Sequence, residues 1–289
     1  MDTRPLPSSD SLDASAPICP RCGYSLQGIS SEQCPECGLA IEWDTLSVSQ
    51  LPWAHRASIG RWKAYWRTNL LAIFRPGKLA AEINRPVSPG DARRFRQFTV
   101  LLAWLALAGW SAGAVATRLG MFEGGSSDVR GLGWWLEACT TLAAALAGWL
   151  ALYLISDAAS FFFNPPSLPV ARQDRAVGLS YYAQAALAWL WMPSVLALVG
   201  VTIESGHYHD GTERFVSLFM SASYCLYGVI FLLCGCGMIV LMRRVTGGQA
   251  ARTVVMAIYL PIAWFVLFAI CGLIPLAVLY VSLIILSFH

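Results

Sequence analysis

From Phe98 onward the chain is a succession of apolar runs, each about twenty residues or longer and each closed by a short polar stretch. Crossing about 30 Å of hydrocarbon takes roughly twenty helical residues, so the runs Phe98 to Ala116, Trp134 to Ser156, Tyr181 to Ile203, Phe215 to Met242 and Thr253 to about Cys271 predict five membrane-spanning helices. The tail from Gly272 to His289 is also apolar. It either continues the fifth helix through a kink at Pro275 or turns at Gly272 and returns as a sixth span, because one unbroken helix would be about 54 Å long at 1.5 Å per residue. Five spans are the reading adopted, and they make residues 98–289 a transmembrane helix bundle.

Ahead of these runs the period changes. Ile59, Trp62, Trp66, Leu70 and Ile73 recur at spacings of three and four, while Arg61, Lys63 and Arg67 occupy other sides of the same helix. Such a segment lies on a membrane rather than in it, with Trp62 and Trp66 at the headgroup boundary and the three cations toward anionic lipid, each worth about 1 kcal/mol. The plainer alternative is an ordinary packing helix. Arg75-Pro76-Gly77 should end it. Ser88-Pro89-Gly90-Asp91 should start the next, with a serine cap, a proline at the first helical position and an acid at the positive end of the dipole. Residues 46–97 therefore read as a linker followed by interfacial helices.

Further upstream stand two knuckles, Cys19-Pro20-Arg21-Cys22-Gly23 and Cys34-Pro35-Glu36-Cys37-Gly38. Each C-x-x-C turn offers two thiolates, and the following glycine lets the backbone curl so that N–H groups face the sulfurs. Together Cys19, Cys22, Cys34 and Cys37 complete a tetrahedral Zn²⁺ site, one per chain, with no position left open for a substrate; such a site is structural. Residues 17–45 are thus a zinc ribbon, and residues 1–16, rich in Ser, Asp and Pro and lacking the apolar core of a signal peptide, a disordered tail. The fold class is an all-α polytopic membrane helix bundle with a small N-terminal zinc-ribbon β module. The polar stretch Ser47 to Pro52 should act as a tether that leaves ribbon and bundle nearly independent.

Composition agrees. Of the 289 residues 56% are hydrophobic and only 13% charged, about half the roughly 25% of a soluble domain. Ten of the twenty Lys and Arg fall between Arg56 and Arg96, immediately before the first run, which is the charge placement of a membrane surface. Arg172 and Arg175, then Arg243, Arg244 and Arg252, add cations to the loops on that same face, so the N terminus is expected in the cytoplasm and the protein in the cytoplasmic (inner) membrane if bacterial. There the thiols of the knuckles stay reduced. The other five cysteines, Cys139, Cys225, Cys234, Cys236 and Cys271, sit in apolar runs and read as small hydrophobes.

Little else suggests chemistry. The spans carry almost no charge away from their ends, which disfavours a pump or coupled transporter. Gln184, Tyr181, Tyr182 and the break at Pro193 suit either a polar notch for a small neutral solute or hydrogen bonds between helices. His207 and His209, among Glu204 and Asp210, are candidates for a divalent cation and so for a metal-dependent membrane enzyme, or else are solvated loop histidines. Gly109 and Gly113 form a G-x-x-x-G pair that lets backbones approach, either within the chain or at a homodimer seam. Nucleic acid is disfavoured as a partner because Glu32, Glu36, Glu42 and Asp44 nearly balance the ribbon's charge.

The blocks Tyr65-Trp66-Arg67-Thr68, Phe74-Arg75-Pro76 and Arg175-Ala176-Val177-Gly178-Leu179-Ser180-Tyr181-Tyr182-Ala183 resemble bacterial members of the Yip family of five-span membrane proteins. The likeness runs from about Trp62 to the C terminus. It implies a proline-bearing amphipathic segment before the first span and a Tyr-Ala pair opening the third, with Pro193 further on. The family's Asp-Leu-Tyr-Gly-Pro motif is absent, so GTPase binding is not implied. The Cys19 to Tyr24 opening looks like a zinc-ribbon head and also resembles rubredoxin, whose knuckles lie much further apart. The expectation is a non-enzymatic membrane protein whose partners are the lipid bilayer and a protein recruited at the cytoplasmic ribbon, in an adaptor or membrane-organising role.

Overall fold

A computed structural model describes residues 17–121, 127–164, 170–206, 212–245, 254–259 and 261–263. The architecture is helical. Among the described residues no strand forms, and β pairing is confined to two isolated antiparallel bridges, Ile18 with Ser25 and Gln33 with Ala40. In place of the expected β module stands a pair of tight cysteine-bearing turns. Each knuckle turns back so tightly that only one residue pair is left to bridge across its neck.

In chain order, α1 (Trp43–Leu46) follows the knuckles, and a 3₁₀ turn at Pro52–His55 leads into α2 (Arg56–Ile59). Gly60, at φ +86°, separates α2 from α3 (Arg61–Phe74). The backbone breaks at Arg75, as Arg75-Pro76-Gly77 requires, and re-enters helix as α4 (Pro76–Ala81), then a 3₁₀ turn at Glu82–Asn84. Beyond it come α5 (Pro89–Met121), α6 (Ser127–Phe161), α7 (Val170–Ala183), a 3₁₀ segment at Gln184–Leu190, α8 (Trp191–Gly206) and α9 (Thr212–Val245). Ser88 caps α5 as expected, its Oγ accepting from the Asp91 N–H at 3.3 Å. Residues 254–259 and 261–263 are helical as well.

Two compact units divide the chain. The first comprises Met1–Arg96, Ser160–Ala183 and Gly237–Thr253. Its core is aromatic: Tyr65 and Phe95, both fully buried, lie 4.9 Å apart, and Tyr182 is 4.9 Å from Phe95 on another side. Trp53 meets Phe95 edge-on at 5.6 Å. Contacts of this kind add about 0.5–1.5 kcal/mol each to the area they bury. The polar groups of Trp53 are satisfied too, its indole donating to Asp91 O at 2.9 Å and its backbone N–H to Thr68 Oγ1 at 2.9 Å. Arg56 pairs with Asp91 at 2.6 Å. Gly178 lets α7 approach closely, because a Cβ there would lie 3.3 Å from Val87 and 3.5 Å from Ala92.

The stretch Ser47 to Pro52 is not the free tether its polarity suggests. Leu51 is buried, and so is Ser49, whose Oγ donates to Glu82 Oε2 at 3.1 Å. The Gln50 N–H reaches the same oxygen at 2.9 Å, and Arg85 forms an ion pair with the other. The reason is Glu82, which is 2% exposed. A buried carboxylate is tolerated only where donors surround it, and this segment supplies two of them.

The second unit comprises Gln97–Ala159, Gln184–Cys236 and Val254–His289. Its helices are stitched by a few polar contacts in apolar surroundings. Trp104 of α5 donates to Ala145 O of α6 at 2.8 Å, and Ser223 of α9 donates to the carbonyl of Pro193 in α8 at 2.8 Å. Gln184 pairs doubly with Ser156, its Nε2 donating to the Ser156 carbonyl at 2.9 Å while its Oε1 accepts from the hydroxyl. Replacing Gln184 by leucine strips both bonds and should cost about 0.6–2 kcal/mol, read as a fall of a few degrees in the thermal midpoint of the detergent-solubilised protein. An unchanged midpoint would show that the pair is incidental.

Among the described residues two helices, Arg172–Gly200 and Phe215–Val245, are long and apolar enough to cross a membrane. Ala145–Phe161 and Val254–Ala263 are shorter apolar helices. The first and second predicted runs fall wholly inside α5 and α6. Leu142, Leu146, Leu150 and Leu154 are all half or more exposed and recur every fourth residue along α6, an outward apolar stripe. Most of the fifth predicted run and all of the tail beyond it lie outside the described residues.

Candidate metal centre

The two knuckles are near copies in backbone terms. The Cys19 N–H donates to Tyr24 O at 2.9 Å and that of Cys34 to Leu39 O at 2.8 Å, while Gly23 donates to Cys19 O at 3.0 Å and Gly38 to Cys34 O at 2.9 Å. Both turns end on a glycine in the left-handed region, Gly23 at φ +76° and Gly38 at +68°. A side chain there would be strained, which accounts for glycine at the fifth position of each. Cys19 and Cys34 form the floor of a small apolar cluster with Leu26, Ile41 and Leu46, flanked by Ile29, Leu39 and Trp43. The Trp43 indole ties this cluster to Ser31 O at 3.2 Å.

That packing brings together all four predicted ligands. Cys19 Sγ lies 3.6 Å from Cys37 Sγ, Cys22 Sγ lies 3.6 Å from Cys34 Sγ, and all four sulfurs fall within 4.8 Å of one another. Zinc–thiolate bonds of about 2.3 Å in a regular tetrahedron set the sulfurs about 3.8 Å apart, so the cluster fits a tetrahedral metal. All four positions of the shell are protein, leaving none for a reacting ligand. Cys19 and Cys34 are buried, Cys37 is half-buried and Cys22 is exposed. Burial alone would raise the Cys19 thiol, but N–H groups of Cys22 and Arg21 and the sulfurs of Cys22 and Cys37 outweigh it and draw it down to about 7. The Tyr24 N–H favours the Cys22 thiolate, yet desolvation and the sulfurs of Cys34, Cys19 and Cys37 push that thiol up to about 12. Loading a metal therefore displaces protons from the thiols, and affinity falls as the pH falls.

The predicted interfacial residues lie on the outer face of α3. Its inner face is Ala64, Tyr65, Thr68, Asn69 and Ala72, whereas Trp62 is 59% and Phe74 72% exposed. Trp66 is half-buried, meeting Trp62 edge-on at 5.6 Å, and Arg61, Lys63 and Arg67 are exposed. Ile59 belongs to α2, cut off by Gly60. The residues of the candidate solute notch are each engaged by a neighbour: Tyr181 lies under the Arg96 guanidinium at 4.5 Å, Tyr182 packs on Phe95, Gln184 pairs with Ser156 and the Pro193 carbonyl accepts from Ser223. A Cβ at Gly109 would meet nothing within 4 Å. The surroundings of Gly113, and the histidines His207 and His209, lie outside what is described.

Sequence reading did not single out Asn84, Arg85, Glu82 or Ser49, which join the cysteine module to the helices behind it. No pattern in Glu82-Ile83-Asn84-Arg85 marks these residues, and the partners of Glu82 and Arg85 are remote in the chain, 33 residues away for Ser49 and 40 for Thr45. No protein family, curated protein or solved structure matches the chain.

Proposed function

We propose that this chain is a non-enzymatic, polytopic membrane protein of Yip-like five-span architecture that carries a cytoplasmic zinc ribbon and serves as an adaptor or organiser at the membrane surface. The four sulfurs at tetrahedral spacing carry the reading, because a closed shell of four cysteines stabilises a fold and presents a surface without performing a reaction. Two further features support it. The outer face of α3 combines Trp62, Trp66 and Phe74 with Arg61, Lys63 and Arg67, the chemistry of a helix resting at anionic headgroups. The end of α9 carries Arg243 and Arg244, and Arg244 reaches Gly77 O of α4 at 3.4 Å, which brings the cationic end of an apolar helix to the helix that follows α3. Protein partners are assigned to the exposed edge of the ribbon around Tyr24, and the bilayer to α3.

Membrane-impermeant thiol labelling of single cysteines placed at residues 2 and 289 tests the topology. With five spans the two label from opposite sides, residue 2 from the cytoplasm. Labelling of both from one side would replace the five-span arrangement with six.

A further inference from the structure

The two knuckles share a backbone but not a neighbourhood. Nothing lies within 4 Å of a Cβ built on Gly38, whereas one built on Gly23 would stand 3.1 Å from Nη1 of Arg172 and 3.4 Å from its Cζ. One metal turn therefore faces open space, and the other is the seat for an arginine in the first turn of α7.

The seat is part of a three-way joint. Arg172 Nη2 donates to Asn84 Oδ1 at 3.1 Å, and the carbonyl of the same Asn84 accepts from the N–H of Ile18, the residue before the first ligand, at 3.2 Å. Asn84 thus holds the knuckle with its backbone and Arg172 with its side chain. Arg172 in turn bonds Asn84 and lies against Gly23. Gly23 lies against the guanidinium in the left-handed conformation at φ +76°, the same conformation that closes the turn from Cys19 to Gly23. The turn that carries two of the ligands and the turn against which Arg172 lies are one turn.

We propose that metal occupancy of the four-cysteine site is a latch on the start of α7. This rests on the reading of the cysteines as a metal site and adds a regulatory consequence to it. With the metal bound, the sulfurs hold the Gly23 turn shut and Arg172 stays seated. With the metal removed, four thiols in a cluster of a few apolar side chains no longer enforce that turn, since structural metal binding and local folding are one equilibrium. Arg172 and Asn84 then lose a partner together. On the other side of the module, Arg85 donates to Thr45 O at 2.6 Å and Glu82 keeps its donors, so the ribbon stays attached while one joint opens. What is released is the first turn of the apolar helix Arg172–Gly200.

Coupling of this kind is reciprocal: whatever the metal does for Arg172, Arg172 does for the metal by the same factor. Hydrogen exchange on the full-length protein in detergent reads one side and competition with a zinc chelator reads the other. In the wild type, stripping zinc should speed exchange in residues 170–176 by about tenfold, together with residues 17–45. Arg172→Gln with zinc loaded should speed exchange in residues 170–176 without chelator, keep one zinc per chain, and give zinc up to chelator about tenfold more readily. Stripping that affects residues 17–45 alone, or a variant with unchanged zinc affinity, overturns the latch while leaving the metal site standing. Protein that neither carries nor takes up metal overturns both, and that is settled by metal analysis before any exchange is measured.

Discussion

Full-length protein purified without added metal should contain one zinc per chain, and Cys34→Ser should lower the content below about a tenth. The effect is large because structural zinc in small cysteine-rich modules contributes about 10–16 kcal/mol, and Cys34 is both a ligand and, at 2% exposure, part of the floor of the apolar cluster. Serine removes the thiolate and buries a hydroxyl against Leu26 and Ile41. The matching control is Cys234→Ser in α9, a cysteine just as buried but outside the knuckles; its zinc content should not change. Full zinc retention in Cys34→Ser removes the four-cysteine assignment. Iron in place of zinc in the wild type would keep the ligands and change the metal.

How far this was legible beforehand depends on range. The knuckles could be read because ligand, turn and glycine lie within five residues, and the α5 cap because Ser88, Pro89 and Asp91 act on the turn they begin. The period of α3 was visible as well. Its partners were not, because the inner face is Ala64, Tyr65, Thr68, Asn69 and Ala72, a set with no hydrophobic signature, buried by residues that come from other parts of the chain. The same holds for α7: Val170–Ala183 carries Arg172, Asp174 and Arg175, so hydropathy places the run's start at Tyr181, a full eleven residues after the helix begins. The 3₁₀ tightening at Gln184–Leu190 falls where an alanine-rich run predicts ordinary α-helix. The packed segment at Ser49 to Leu51 is the plainest miss. Its polarity is real, and Glu82, distant in the sequence, turns it inward.

Glu82→Ala should accordingly be among the most damaging single substitutions outside the ligands, although no motif marks the residue. Three donors converge on this carboxylate, from Ser49, Gln50 and Arg85, and the Arg85 side chain is itself only 16% exposed. Alanine leaves that guanidinium short of its counter-charge and two further donors unsatisfied in a shielded site. Breaking a buried pair from one side costs about 3–5 kcal/mol, well above the roughly 1 kcal/mol of a surface pair, so the thermal midpoint should fall by on the order of 10 °C. Arg85 also donates to Thr45 O, so the loss should spread into the cysteine module and be visible as faster hydrogen exchange in residues 45–51. Glu82→Gln separates charge from shape: it keeps an acceptor for Ser49 or Gln50 but not the charge facing Arg85, and should fall between wild type and alanine. A midpoint within about 2 °C of wild type for Glu82→Ala, less than 1 kcal/mol would produce in a small domain, would mean that the Ser47 to Pro52 segment is a tether after all and that the ribbon does not depend on its seat.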